Sequence, residues 1–394
     1  MESACGMRMQ KRNRESAMRR IDLRDSRQRI KLAAVVFIVL IALGMVIPSG
    51  YVVASAGPAI NVNSSVENKE VVEIKKAQTY PSDTRLLMTT VAAQGTADRG
   101  VLGAQAWYAL LRKNKQLLPV EVMYPQNLNA DEYKEQNKEL MEFSQDSAAL
   151  IAFELAGYKV SMQIKVVGVD PNNPSGKVLK EGDIIKGMKI FPQDSYYELK
   201  TQNELSTVID RVPPNTTLYF QIVRDGKEQE VQFETIPYKK DATGWVHPGS
   251  LLGVSIEAIN VKIPATVNYL LKDIGGPSAG NMFALAIYDK LTKGSLGGGH
   301  TIAGTGTVAW DGDVGPIGGI THKMRGAAAE GARDFLAPAL NCAETIGYEP
   351  PGMRVWAIRN TQESILAVAE IAQGNTEKLT SCRDLVKKQQ QARP

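Results

Sequence analysis

One stretch near the N-terminus is apolar without interruption, whereas most of the later sequence alternates between apolar and polar residues. From Leu32 to Ala56 the chain has no charged residue, and the core LAAVVFIVLIALGMVI is apolar throughout. About 20 apolar residues span the hydrocarbon core of a bilayer. Residues 32–56 therefore predict a transmembrane helix or a signal segment.

The charged residues before this segment predict its orientation in the membrane. Residues 1–31 carry ten Lys and Arg residues against four acidic ones, and basic flanks stay in the cytoplasm. We expect a basic cytoplasmic head, a single pass through the cell membrane, and extracytoplasmic domains after residue 56. A cleaved signal peptide is the alternative, because Ala54-Ser55-Ala56 fits a small-residue cleavage site. The long head and the long apolar run favour the anchor.

The next part of the chain, residues 57–155, predicts a linker and an N-terminal α/β region. Residues 57–75 are rich in asparagine and serine and predict the linker. The β-branched run over 84–91 predicts a strand. Two helices are predicted after it, one from Asp131 and another over 146–155.

Residues 156–236 change to the alternating pattern of a small β domain. The predicted elements are strands over 160–169, 217–223 and 229–236 and a helix over 202–210. Asp225-Gly226 between the last two strands is a strong hairpin signal.

The motif LKEGDII at 179–185, with the helix and the hairpin that follow it, resembles a PDZ domain. The resemblance implies that the domain binds extended peptides by adding a strand to a sheet edge. It implies a groove between the strand near Tyr158–Met162 and the helix near Glu204–Ile209. A small β domain without a ligand is the alternative.

Residue Ser278 lies in a glycine-rich turn, Gly276-Pro277-Ser278-Ala279-Gly280. A strand over 267–274 is predicted before the turn, and a helix with one apolar face is predicted from Asn281. The unpaired N–H groups and the positive dipole end of that helix would favour an oxyanion at its N-terminus.

Lys323 follows the serine by 45 residues, between Ile320 and the Ala327-Ala328-Ala329 run of a predicted helix. A free lysine is protonated near neutral pH and cannot act as a base. Burial among apolar residues lowers the pKa of a lysine, so this position could supply a neutral amine.

Together with AGTGTV at 303–308 and GDVGPIGGI at 312–320, this serine and lysine resemble the proteolytic domain of the Lon family of serine proteases over residues 248–372. The resemblance implies that Ser278 is the nucleophile, that Lys323 is the general base, and that Thr305 hydrogen-bonds near the lysine. It implies supporting roles for Gly276, Pro277, Ala279 and Gly280. It also implies a homo-oligomeric ring. Many family members have an acidic residue where this chain has Gly275.

The charge, the cysteine spacing and the motif content limit the partners and cofactors that we expect. The chain carries a net charge of +4, all of it from the N-terminal head, so we expect no nucleic-acid partner. No cysteine spacing resembles a zinc site, and we expect neither metal nor cofactor. No G-x-x-x-x-G-K-[ST] phosphate loop occurs in the sequence, so cleavage should not need ATP. Cys342 and Cys382 could form a disulfide in an oxidising compartment.

The turn around Ser278 also fits the nucleophile elbow of an α/β-hydrolase, which requires an acid and then a histidine later in the chain. Only His300 and His322 follow, both within 45 residues of the serine. That spacing leaves no room for the strand that carries the acid.

These patterns predict an α+β multidomain protein with a transmembrane helix, a PDZ-like β domain, a Lon-type α/β proteolytic domain and a C-terminal tail over 373–394. The expected function is that of a membrane-anchored, ATP-independent serine endopeptidase whose PDZ-like domain captures or regulates unfolded or damaged protein and peptide substrates. A catalytically latent, membrane-tethered peptide-binding scaffold is the alternative.

Overall fold

The structure is a computed structural model, and it describes residues 26–66, 68–124, 130–240, 246–247, 249–271 and 275–391. Most of the predicted basic head and the end of the predicted strand over 267–274 lie outside these ranges. The chain forms two compact units. Unit 1 comprises the residues up to Val53 together with Gln94–Met123, and unit 2 comprises Ala54–Ala93 and the residues from Tyr124 onward.

The helices are α1 (Ser26–Val46), α2 (Gly103–Leu110), α3 (Val120–Met123), α4 (Ala130–Leu155), α5 (Gln202–Ile209), α6 (Gly280–Leu291), α7 (Ile320–Ala329), α8 (Cys342–Thr345), α9 (Thr361–Gln373) and α10 (Cys382–Gln391). The strands are β1 (Tyr51–Asn61), β2 (Ser65–Val66), β3 (Lys69–Glu70), β4 (Val72–Lys75), β5 (Arg85–Gln94), β6 (Lys115–Pro119), β7 (Ser161–Val169), β8 (Ile184–Lys189), β9 (Tyr197–Glu198), β10 (Thr217–Arg224), β11 (Lys227–Glu234), β12 (Val254–Lys262), β13 (Thr266–Tyr269), β14 (Thr301–Gly304), β15 (Thr307–Val308), β16 (Val314–Gly315), β17 (Asp334–Pro338) and β18 (Arg354–Ile358). Short 3₁₀ helices cover Ser175–Lys177, Ala339–Asn341 and Thr376–Lys378.

The apolar helix of unit 1 is shorter than the uncharged segment that contains it. α1 has no buried residue, and within the described part of the chain it alone has the length and composition to cross a membrane. The prediction of one helix over 32–56 is wrong after Val46. Pro48 has no N–H to continue the helix, and Gly50 has a φ of 70°. The chain then enters β1.

Most of the described residues of 57–75 lie in β1, β2, β3 and β4, and the prediction of a linker there is wrong. Asn61 and Asn63 are held in specific hydrogen bonds. The Asn61 side chain accepts from the backbone N–H groups of Asn63 and Leu86. The Asn63 amide donates to the Thr84 carbonyl and to the Asp289 carboxylate. The polar composition thus fixes a turn beside β5.

The main sheet of unit 2 has the order β18-β17-β14-β5-β1. β17 runs parallel to both β14 and β18, and β14 runs parallel to β5. This sheet, α6 and α9 share one large hydrophobic core with α4. α4 is one continuous helix, so the two separate helices predicted from Asp131 and over 146–155 are wrong as separate elements. α6 is buried on nearly every side, whereas we predicted one apolar face.

The second sheet of unit 2 has the order β11-β10-β8-β7-β12, with β9 pairing to β8. We call this sheet together with α5 the PDZ-like domain. The predicted hairpin joins β10 to β11, where Asp225 and Gly226 have positive φ values of 50° and 75°. β12 lies within the predicted protease domain 248–372, yet it pairs with β7 along its length.

A disulfide joins Cys342 at the start of α8 to Cys382 at the start of α10. Both cysteines are buried in a cluster with Met324 of α7 and Leu385 of α10. The covalent link therefore fixes the last helix to α8.

Candidate active site

The turn that contains Ser278 is held between α4 and the start of α6. The Pro277 carbonyl accepts a hydrogen bond of 2.8 Å from Ser144 Oγ. The Gly276 N–H donates to the Asn137 carbonyl at 3.1 Å. Ala279 is the N-cap residue of α6. The turn is therefore fixed on both sides of the serine.

Two glycines of this turn are required by its geometry. Gly276 has a φ of 86°, a left-handed conformation that is costly for residues with a Cβ. A Cβ at Gly280 would collide with Ser144 Oγ and the Val308 backbone. The sequence of the turn thus permits close packing of α4, α6 and β15.

The Lys323 side chain reaches the serine from α7. Its Nζ lies 2.7 Å from Ser278 Oγ. The same Nζ lies 3.0 Å from Thr305 Oγ1 and 3.1 Å from the Thr89 carbonyl oxygen. Lys323 is 3% exposed, and Thr305 and Thr89 are also buried. The structure therefore brings together the three residues Ser278, Thr305 and Lys323 that the sequence pattern singled out.

The surroundings of Lys323 contain no carboxylate among its hydrogen-bond partners. Burial, which penalises the charged form, lowers the pKa of Lys323 from 10.5 to about 7. A neutral amine has two N–H groups and one lone pair. The N–H groups can donate to the Thr89 carbonyl and to Thr305 Oγ1, which aims the lone pair at the hydroxyl of Ser278.

Thr305 has two partners and connects the lysine to the serine turn. Its hydroxyl donates to the Ser278 carbonyl at 2.9 Å while accepting from Lys323. The Gly306 N–H donates to the same carbonyl, also at 2.9 Å. Two hydrogen bonds therefore fix the Ser278 carbonyl. In the described part of the chain, no hydrogen bond uses the backbone N–H groups of Ser278 and Ala279, which leaves them available to an oxyanion.

No motif in the sequence indicates that Thr89 belongs to the site. It lies on β5, far from the motifs in sequence, and its contact with Lys323 is through a backbone carbonyl. Its hydroxyl donates to the Gly304 carbonyl at 3.0 Å, which ties β5 to the end of β14 just before Thr305. Only the folded parallel sheet, in which Gly304 is paired with Met88, brings these residues together.

No group of three or more His, Cys, Asp or Glu side chains among the described residues could hold a metal ion. The hydrogen-bond partners of Lys323 Nζ are the hydroxyls of Ser278 and Thr305 and the carbonyl of Thr89. This set of groups is suited to moving a proton and forming an acyl-enzyme.

Comparison with known proteins identifies the domain around this serine. The family described as the Lon protease (S16) C-terminal proteolytic domain matches residues 256–353. Residues 256–353 form a Lon proteolytic domain. The match includes Ser278, Thr305 and Lys323. A stretch of 90 residues is 33% identical to Lon protease 2 of Bacillus subtilis (strain 168), which is 23% of this chain and 16% of that protein. The chain thus spans about a sixth of the length of this relative.

Similar solved structures include PDZ domains of SdrC-like proteins. One from Listeria monocytogenes is 17% identical over 24% of this chain and 85% of its own, with a TM-score of 0.19. One from Listeria innocua is 19% identical over 23% of this chain and 91% of its own, with a TM-score of 0.18.

The groove predicted beside Tyr158–Met162 is wrong, because β7 is not an edge strand. β7 is paired on both sides, with β8 and with β12, and cannot accept a further strand. Among the described strands, β11 and β12 end the sheet. Val254 and Ile256 of β12 pack against the cluster that contains Leu205 of α5.

Proposed function

We propose that this protein is a membrane-anchored serine endopeptidase that works without ATP. The observation that carries the proposal is the 2.7 Å separation of the buried Lys323 Nζ and the Oγ of the half-buried Ser278. A lysine with a pKa of about 7 is neutral in a large part of the molecules at physiological pH. It can therefore accept the hydroxyl proton as the oxygen attacks.

The reaction follows from this geometry. Ser278 Oγ forms a bond to the scissile carbonyl carbon, and its proton moves to Lys323 Nζ. The backbone N–H groups of Ser278 and Ala279, just before α6, stabilise the oxyanion of the tetrahedral intermediate. The protonated amine then donates that proton to the leaving nitrogen as the C–N bond breaks. Water hydrolyses the acyl-enzyme, with Lys323 again accepting a proton.

Thr305 and the Thr89 carbonyl act as positioning groups for the lysine. Both form hydrogen bonds with Nζ, so the amine is already oriented when the reaction begins. Such preorganisation lowers the entropic cost of reaching the transition state.

We further propose that the PDZ-like domain captures an extended segment of the substrate on the free edge of β12 by strand addition. The absence of a phosphate loop from this sequence supports cleavage without ATP. Substrates would then be proteins that are already unfolded or damaged, or their peptides. Assembly into a ring is suggested by family resemblance.

The membrane anchor is α1, and the domains that follow it lie outside the cytoplasm. The structure bears on the signal-peptide alternative, because Ala54-Ser55-Ala56 lies within β1 and Ala54 is buried. Cleavage after Ala56 would remove the first half of a sheet strand. Retention of the helix as an anchor preserves that strand.

The test is cleavage of an unfolded protein substrate by the full chain in detergent, without ATP. Ser278→Ala and Lys323→Ala should each abolish cleavage. The exposed residues Ser195 and Lys293, changed to alanine, provide matched controls that should keep it. Activity that persists in Ser278→Ala would refute the assignment of the nucleophile. A lack of cleavage by the unaltered chain would favour the peptide-binding scaffold.

A further inference from the structure

The helix α2 of unit 1 exposes large apolar side chains. Gly103, Ala106 and Ala109 are its buried positions. The exposed residues on this helix and at its two ends include Leu102, Trp107, Tyr108, Leu110 and Leu111, with Leu111 82% exposed and Leu110 65% exposed. We call these five residues the α2 surface. Five neighbouring large apolar side chains exposed together on one short element are characteristic of an interaction site.

The α2 surface lies beside the C-terminal end of α1. The Gly103 backbone is so close to the Gly44 carbonyl that a Cβ at Gly103 would collide with it. An open, mostly apolar hollow of about 490 Å³ lies between Ile47, Trp107 and Leu110. Any lipid around the end of α1 would therefore reach α2 directly.

The length of α1 gives a second, independent reason. Its first turns contain Arg27, Arg29 and Lys31, which leaves about 15 residues, or about 22 Å, of uncharged helix before it ends at Val46. The hydrocarbon core is about 30 Å thick. A short apolar stretch is accommodated by local thinning of the bilayer or by snorkelling of flanking residues, and either brings the lipid headgroups close to the end of the helix. The apolar side chains nearest to its end are those around α2.

Charged residues follow the α2 surface as they do in interfacial helices. Arg112, Lys113 and Lys115 come directly after it, and the cationic groups of Arg112 and Lys115 lie over the Tyr108 ring. Trp and Tyr are enriched at the level of lipid headgroups. Lys and Arg at the same level are attracted to anionic lipids.

We propose that the α2 surface is a second membrane contact that inserts into the outer leaflet beside α1. The lipid bilayer is its occupant, because the surface is continuous with the anchor, compensates for its short apolar length and carries the matching basic charge. This inference rests on the proposed anchoring by α1. It would hold unit 1 against the membrane surface at two points instead of one.

The experiment uses the full chain in vesicles of phosphatidylcholine and phosphatidylglycerol, with and without acyl chains brominated near the glycerol end. Bromine quenches tryptophan that contacts the lipid. The difference in fluorescence between the native chain and Trp107→Phe is the contribution of Trp107. The brominated lipid should quench this contribution at least twofold. Trp310→Phe, which keeps Trp107, is the matched control and should keep this quenching. Leu111→Asp should reduce the quenching, whereas the same change at exposed Leu366 should not.

An alkaline carbonate wash of the vesicles separates the possible failures. If the protein stays with the vesicles and Trp107 is not quenched, the inference is wrong while the anchor stands. If the protein is washed off, the anchor and the inference both fail. Shielding of Trp107 from aqueous iodide without quenching by brominated lipid would show that a protein covers the surface, and would also overturn the proposal.

Discussion

Replacing Lys323 by methionine should stabilise the protein while removing its activity, and the gain in stability should depend on pH. Methionine has a similar length and volume but carries no charge. Burial lowers the pKa of Lys323 from 10.5 to about 7. A shift of this size corresponds to about 5 kcal/mol of unfavourable interaction with the charged form. The native chain bears this full cost below pH 7.

The direction of the pH effect on stability follows from the number of protons that the folded and unfolded chains bind. Below pH 7 the lysine is protonated in both the folded and the unfolded chain. Between pH 7 and 10.5 the unfolded chain binds one more proton than the folded chain, so the free energy of unfolding rises with pH. The slope is at most about 1.4 kcal/mol per pH unit. The variant has no such group, so its advantage over the native chain should shrink by about 3 kcal/mol between pH 7 and 9.5.

The measurement is urea unfolding of the full chain in detergent at several pH values, followed by circular dichroism, for the native chain and Lys323→Met. Lys293→Met, at an exposed lysine, controls for the loss of one lysine. The kcat/KM of the native chain should increase with pH up to about 7 and then level off, because the free enzyme needs the neutral amine. A difference in stability that does not change with pH, or an activity that falls through pH 7, would refute the argument.

Further changes test the positioning groups, the turn and the disulfide. Thr305→Val keeps the shape of the side chain but removes the hydroxyl between Lys323 and the serine turn, so kcat should fall about 10- to 100-fold with little change in KM. Thr305→Ser should restore most of the kcat. An equal loss of kcat in both variants would contradict this role. Gly276→Ala should lower the free energy of unfolding by about 1–2 kcal/mol through the strained backbone, measured by urea unfolding; an unchanged value would show that the turn relaxes. Cys382→Ser opens a loop with a sequence separation of 40 residues and should lower the thermal stability by about 3–4 kcal/mol while peptidase activity persists at low temperature; loss of activity at low temperature would show that α10 matters for the site itself.

The candidate site was predictable from sequence where the contributing atoms belong to side chains in local motifs. The turn around Ser278 and the helix that carries Lys323 are both defined by glycines and apolar residues close in sequence. Thr89 was not predictable, because its contribution is a carbonyl that any residue on β5 could provide. The linker prediction for 57–75 failed for a related reason. Composition cannot distinguish an asparagine that is solvated from one that is held by partners distant in sequence, such as Asp289.

A free strand edge was predicted at 160–169, and this prediction was wrong because sheet order depends on contacts between distant residues. The alternating pattern of 160–169 predicts a strand equally well whether it lies inside the sheet or at its edge. The edge is filled by β12, which comes after the rest of the PDZ-like domain and close before the catalytic turn. No local pattern in the sequence reveals that β12 returns to pair with β7.

This position of β12 has a consequence for how binding and catalysis are connected. The match to the Lon proteolytic domain begins at residue 256, inside β12. The same strand is therefore both an edge of the PDZ-like sheet and the beginning of the match that contains Ser278. β13 and then the turn that contains Ser278 follow it in the sequence. In the proposed strand addition, the peptide would therefore bind to the strand that begins the matched domain, and substrate capture and catalysis would be connected by one short piece of backbone.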